Sequence, residues 1–169
     1  MTPAELLAAG GVLAIPTESS YGLGVDPRDP RGVEAIYRLK GRERGKALPV
    51  VAADIAQLLA LGALPESAAL SRPLPASAGE GTLAARIPAH EGLRSLLAEL
   101  GHALTATSAN ASGEPPLSDP VAVRTWLATS GEKFLVVDQG ETAGGLPSTL
   151  VEVRDGEVVI LRKGRDEVR

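Results

Sequence analysis

The chain of 169 residues reads as one α/β domain with a mixed sheet, and three observations predict this. Short apolar runs at residues 12–15, 48–52, 103–106 and 134–137 alternate with stretches of helical period, as strands and helices taken in turn do. Asp-Pro stands twice at the head of a helical stretch, at Asp29-Pro30 and Asp119-Pro120, placing an N-cap before a proline at the first helical position. Near the end, apolar runs at 150–153 and 158–161 flank Asp155-Gly156, the pattern of a two-residue hairpin. A hairpin demands an antiparallel pair, so the expected sheet is mixed.

Residues 4–9 form a short amphipathic helix closed by Gly10-Gly11, and residues 12–15 a buried strand stopped by Pro16. Residues 16–24 (PTESSYGLG) read as a polar turn bounded by glycines. After Asp29-Pro30, the residues Val33, Ile36, Tyr37 and Lys40 share one helical face, and Gly41 ends the helix. Residues 48–52 are the next strand, followed by an Ala/Leu-rich helix from about Asp54, a Pro/Ser/Gly loop over 73–81 and a strand over 82–87. Leu93, Leu96, Leu97 and Leu100 mark a helix, 103–106 a strand, 121–127 a helix and 134–137 a strand before the terminal hairpin. One domain over residues 1–169 suits this length.

Composition narrows the function. Hydrophobic residues at 44% and charged residues at 22% supply a core, but aromatics are only 2%, so that core is built from Ala, Val, Leu and Ile. A net charge of −4 weighs against coating nucleic acid through bulk charge. The absence of cysteine removes disulfides, thiolate catalysis and cysteine metal sites, and a total of two histidines argues against a histidine-rich centre. No apolar run reaches the length of a membrane span and no signal-peptide pattern opens the chain, so a cytoplasmic protein is expected.

Polar residues that a core does not need collect at strand ends. In residues 16–24, the hydroxyls of Thr17, Ser19 and Ser20 with free backbone N–H groups suit the carboxylate, amine or phosphate of a small ligand, or simply an ordinary turn that also carries Glu18. Lys40, Arg42, Arg44 and Lys46 make the sharpest basic cluster in an acidic chain. They suit phosphates, although cations at a helix C-terminus are also stabilised by its dipole. In residues 105–116 (TATSANASGEPP) a strand runs into hydroxyls and an amide, the place where open α/β sheets bind ligands. Residues 144–149 (GGLPST) are a fourth polar edge, and Arg162 ends the last strand. The glycines match neither a phosphate loop nor a dinucleotide fingerprint. His90 and His102 lack metal-ligand spacing and read as surface residues, and Trp126 and Phe134 as core.

The run PTESSYGLGVDP, the helix ending in KGR, the segment TSANASGEPP, the late PST and the closing LRKG, spread over residues 10–164, resemble the YrdC/TsaC family, the L-threonylcarbamoyladenylate synthases. Lys40-Gly41-Arg42 with Ser108-Ala109-Asn110 looks like the family's K-x-R and S-x-N motif. The chain looks like the short form without an appended C-terminal domain. The resemblance implies a twisted mixed sheet with flanking helices around a positively charged central cavity. It also implies condensation of L-threonine, bicarbonate and ATP to threonylcarbamoyl-AMP and pyrophosphate, for the threonylcarbamoyladenosine modification of tRNA by downstream proteins.

Carried over by motif, the resemblance puts Lys40, Arg42, Ser108 and Asn110 at the catalytic centre. Arg42, Lys46, Thr82, Ser108 and Arg162 fall on ATP, and Thr17, Ser19, Arg86 and Ser148 on threonine. Mg²⁺ is expected on the ATP phosphates and not on a protein site. The chain departs from the family at Ser71-Arg72-Pro73, where a P-G-P-x-T stretch is missing, at Val51 in place of a histidine and at Ser20. Three other readings are an RNA-binding or ribosome-maturation module, a carbamoyl-adenylate-forming relative acting on a different acceptor, and a nucleotide-binding paralogue without turnover.

Overall fold

The computed structural model describes residues 1–44, 46–62, 84–154 and 157–164. The expected loop over 73–81, Thr82 and the Asp155-Gly156 turn lie outside them. In chain order the elements are α1 (Pro3–Ala8), β1 (Val12–Pro16), β2 (Tyr21–Gly24), α2 (Pro30–Lys40), β3 (Val50–Val51), α3 (Ile55–Ala60) and β4 (Ala85–Arg86). Then follow α4 (Glu91–Leu100), β5 (Leu104–Thr105), β6 (Thr107–Ser108), α5 (Pro120–Ala128), β7 (Phe134–Val136), β8 (Leu150–Arg154) and β9 (Glu157–Arg162).

The helices start and stop where side-chain chemistry says they should. Thr2 and Glu5 form a reciprocal capping box on α1. Asp29 accepts from the Arg31 N–H at the head of α2, and Gly41 closes it at φ 57°, a left-handed conformation that glycine adopts without Cβ strain. Val33, Ile36, Tyr37 and Lys40 are buried together, as their spacing predicts. Asp54 and Asp119 cap α3 and α5. His90, expected at the surface, caps α4 instead, its Nδ1 accepting from the Leu93 N–H at 3.1 Å.

Where one mixed sheet was expected, the described residues form three. The larger has the order β6-β2-β1-β7, with β2 antiparallel and β7 parallel to β1. The second has the order β4-β3-β5, parallel and antiparallel in turn. The terminal hairpin pairs β8 with β9 as anticipated, but as a separate two-stranded sheet. The fold is mixed α/β, and its mixed character lies in the two larger sheets.

Strand β1 is buried on both faces, which is why it reads as a continuous apolar run. Val12 and Ala14 face a cluster with Leu23, Val33, Ile36, Val123 and Leu127. Leu13 and Ile15 face a second with Leu6, Leu7, Leu93, Leu97 and Leu104. Each such leucine or isoleucine contributes roughly 1.5–3 kcal/mol when fully buried. Strand β2 was missed because Gly22 and Gly24 look like turn residues. They serve instead to let backbone come close: a Cβ on Gly24 would lie 3.3 Å from Ile15 Cδ1, Leu104 Cδ1 and the Thr105 carbonyl oxygen. The apolar run 103–106 is divided for a related reason. Its first half joins the smaller sheet as β5 and its second half leads into β6 of the larger, with the Ala106 N–H donating to the Pro49 carbonyl at the crossing.

Candidate active site

Two polar groups form where these strands end, and α2 builds the first. Its buried face runs through Val33, Ile36 and Tyr37 to Lys40, so the last turn carries a lysine inward. The Lys40 ammonium donates to the Ser108 carbonyl, to the Asn110 carbonyl at 2.9 Å and to Asn110 Oδ1 at 3.0 Å. Ser108 Oγ donates to the same Oδ1 at 2.6 Å, and the Asn110 amide donates to the Ala111 and Glu114 carbonyls. In return the Ser112 N–H donates to the Lys40 carbonyl at 2.7 Å. The K-x-R and S-x-N segments, 68 and 70 residues apart in sequence, are thus bonded directly to each other.

Beyond Gly41 the chain turns into a loop fastened at two points. Tyr37 Oη donates to the Lys46 carbonyl at 2.8 Å, and Arg42 Nη2 to the Ala47 carbonyl at 3.0 Å. Arg42 Nε is buried without a hydrogen-bond partner. Lys46 is exposed and stands 3.2 Å from the Glu43 carboxylate. Between loop and turn lies a cavity of about 370 Å³ whose walls include Lys40, Arg42, Lys46, Thr107, Ser108 and Asn110. Among the described residues of its lining, Glu43 is the one carboxylate beside those three cations.

Burial, and after it the charge of Arg42, brings the Lys40 ammonium down to about 8. It is still protonated at pH 7, held by three acceptors.

The second group gathers residues from four separate segments. Arg86, on β4, donates from Nη1 to Ser148 Oγ at 2.7 Å. The same Nη1 lies 3.2 Å from Glu18 Oε2, outside hydrogen-bonding geometry. Glu18 Oε1 accepts from the Ala89 and His90 N–H groups at 2.8 and 3.1 Å. Arg162 Nη2 donates to the Ser148 carbonyl at 3.1 Å. Burial pushes the Glu18 carboxyl upward, but backbone N–H groups and the Arg86 charge outweigh it, and its pKa falls below the ordinary glutamate value.

Gly22 separates Thr107 of the cavity from the turn that carries Glu18: a Cβ there would meet the Thr107 carbonyl oxygen at 3.4 Å and Thr17 Cγ2 at 3.6 Å. Thr17 shapes its turn: its Oγ1 donates to the Ser20 carbonyl and accepts from the Ser19 and Ser20 N–H groups. The Ser19 carbonyl accepts from Thr142 Oγ1 at 3.2 Å.

Of the residues singled out by sequence, Lys40, Arg42, Lys46, Ser108 and Asn110 share the cavity, while Arg86 and Ser148 share the second group. Arg162, expected beside Arg42 and Lys46, joins the second group through Ser148 and stands apart from the cavity. Thr82 lies outside the described residues. Glu18 stood out in the sequence only as part of its motif. A lone carboxylate among the hydroxyls of a turn was the one signal it gave, and its partners at Arg86 and residues 89–90 are far off in sequence.

Both polar groups are carried by a mixed α/β domain, one on the cavity of Lys40 and Arg42 and the other on the Arg86–Ser148 pair. The model of the Sua5/YciO/YrdC family, described as "Telomere recombination", matches residues 5–164. Threonylcarbamoyl-AMP synthase of Alkalilimnicola ehrlichii is 34% identical over 174 residues, 92% of each chain. The enzyme of that name from Thiobacillus denitrificans is 36% identical over 172 residues, 90% of each chain. The crystal structure of P. abyssi Sua5 complexed with L-threonine superposes with a TM-score of 0.78 at 27% identity, covering 95% of this chain. The chain spans about half the length of that protein, 52%. It belongs to the Sua5/YciO/YrdC family.

Proposed function

We propose that the protein is a threonylcarbamoyl-AMP synthase, joining L-threonine, bicarbonate and ATP into threonylcarbamoyl-AMP and pyrophosphate. The observation that carries this reading is the Lys40 ammonium. By bonding Ser108 and Asn110 it makes one cavity out of two distant motifs. The family match and the two synthases at 34% and 36% identity support it.

In the reaction, the threonine amine attacks the bicarbonate carbon with loss of water, giving a carbamate. A carbamate oxygen then attacks the α-phosphorus, forming the new P–O bond as the bond to pyrophosphate breaks. Both reactants of the second step are anions, so the chief need is fixed positive charge and orientation rather than a nucleophilic side chain. Arg42 suits the triphosphate: Nη2 donates to Ala47 and Nε is buried, which leaves the Nη1 end of the guanidinium for phosphate oxygens. Lys46 and, by the family motif, Thr82 would add donors, while Ser108 Oγ spends its hydrogen on Asn110 Oδ1 and lines the cavity beside them. Lys40 and Asn110 have their polar groups occupied within the chain, so their part is to hold Ser108 and the cavity wall in place.

Arg86 with Ser148 suits the threonine carboxylate, since a guanidinium fork matches a carboxylate bidentately. Ser19 would touch the same substrate, Thr17 holds the turn that presents it, and Arg162 fixes Ser148. No group of three or more His, Asp or Glu side chains among the described residues could hold a metal ion. Mg²⁺ would be bound by phosphate oxygens and water, the ligands it prefers, while the side chains named here act on the phosphates. The product's threonylcarbamoyl group would pass to tRNA through other proteins, in a cytoplasmic setting.

The test mixes the purified protein with ATP, Mg²⁺, bicarbonate and L-threonine and follows pyrophosphate. Release that requires both threonine and bicarbonate is expected. ATP binding without release would instead mark a paralogue without turnover, and salt-sensitive tRNA binding alone would mark an RNA module.

A further inference from the structure

We infer that Glu18 is the positioning residue of the amino-acid subsite, aiming the Arg86 guanidinium and locking the β1–β2 turn to the start of α4. The inference rests on Arg86 being the carboxylate-binding group of the proposed function.

The two oxygens of Glu18 do different jobs. Oε1 takes two backbone N–H donors, from Ala89 and His90, which fixes the carboxylate against the chain just before α4. Oε2 is left beside Arg86 Nη1 at 3.2 Å, buried and without a hydrogen bond of its own. An atom so enclosed does not meet substrate directly. Its effect is exerted through its neighbour, whose Nη1 is thereby held between Glu18 and Ser148 Oγ. With one edge of the guanidinium fixed from both sides, the remaining N–H groups point in one direction. A guanidinium free to rotate would present its fork only part of the time, and small misplacements of such groups cost large factors in binding and rate.

The arrangement also crosses the sheet boundary. Glu18 follows β1 of the larger sheet, whereas Arg86 lies on β4 of the smaller one and residues 89–90 lead into α4. The backbone N–H donors and the Arg86 charge hold the negative charge on Glu18 against the cost of burial, in keeping with its lowered pKa. Removing one partner of such a pair leaves the other's charge poorly compensated.

The test is calorimetric titration of L-threonine, and separately of ATP, into wild type and Glu18→Gln. Glutamine keeps the volume and the acceptor for residues 89–90 but loses the charge that faces Arg86. The expected result is a threonine Kd at least about tenfold weaker, an ATP Kd within about twofold, and no effect of the same substitution once Arg86→Ala is present. In turnover, KM for threonine rises with kcat largely retained. Threonine affinity within twofold of wild type in Glu18→Gln overturns the inference while leaving the synthase reading intact. Failure of the wild type to bind threonine overturns both. Should Glu18→Gln not fold, Glu18→Asp keeps the charge on a shorter stem that cannot span both partners. The same selective loss of threonine affinity is then expected, and its absence counts against Glu18.

Discussion

Replacing Lys40 by methionine isolates what its ammonium does. The methionine stem keeps most of the packing among Val33, Ile36 and Tyr37, so the loss is chiefly polar. Three acceptors lose their donor, but Asn110 Oδ1 keeps Ser108 Oγ at 2.6 Å, leaving the Ser108 and Asn110 carbonyls as the uncompensated pair. At about 1–3 kcal/mol for each buried acceptor left unmade, the gross cost is about 2–6 kcal/mol. Relief from burying an ammonium offsets part of this, so a net loss of about 2 kcal/mol is expected. For a domain of this size that lowers Tm by about 4–8 °C. Pyrophosphate release should fall far more than stability does, by on the order of a hundredfold or more, because the wall carrying Ser108 is no longer fixed. Urea denaturation and the coupled pyrophosphate assay measure the two effects on one preparation. A Lys40→Met protein with unchanged Tm and turnover within twofold of wild type would refute the bracing role.

Arg42→Ala should abolish turnover and weaken ATP binding at least tenfold, with Tm within about 2 °C of wild type, since the side chain makes a single hydrogen bond to its own loop; unfolding of this variant would show that its role is structural. Turnover should decline as pH rises through about 8, where Lys40 loses its proton in the folded protein. Because the folded-state pKa lies below the ordinary lysine value, the unfolded chain binds more protons above pH 8, and the Lys40 contribution to stability rises there. Activity and Tm should therefore part company, and a Tm that fell with activity through a Lys40-dependent step would contradict this. Gly24→Val should cost about 2–3 kcal/mol in chemical denaturation through overpacking against Ile15, Leu104 and the Thr105 carbonyl; a neutral result would mean the two sheets can separate there.

The helices were legible because their signals are local. Asp29-Pro30 and Gly41 state both ends of α2 in the sequence itself, and the buried face with Lys40 follows from a period of 3.6 residues. Strand β2 was not legible, since a glycine demanded by a close neighbour looks the same as a glycine demanded by a turn, and Leu104 is remote in sequence. The division into separate sheets was hidden for a similar reason: the run at 103–106 carries no mark of the residue at which it changes partners. As for the site, polar segments at strand ends pointed to stretches that the fold brings together, and the resemblance paired Lys40 with Asn110. Neither could reveal that these two side chains satisfy each other, nor that Arg162 sits with Ser148, because hydrogen-bond partners are a property of the assembled fold. Glu18 shows the same limit, its significance residing wholly in residues 86–90.

The bonds that join the site's separate segments close long loops. Lys40 reaches across 68 residues to Ser108, Arg86 across 62 to Ser148, and Glu18 across 72 to His90. Closing such loops is entropically unfavourable until the intervening chain has ordered. No fragment of this protein would then retain a partial affinity for nucleotide or amino acid, and recovery of binding after dilution from denaturant should coincide with the final cooperative step. Saturating ligand would correspondingly protect slow-exchanging amides throughout the domain and not merely around the pocket.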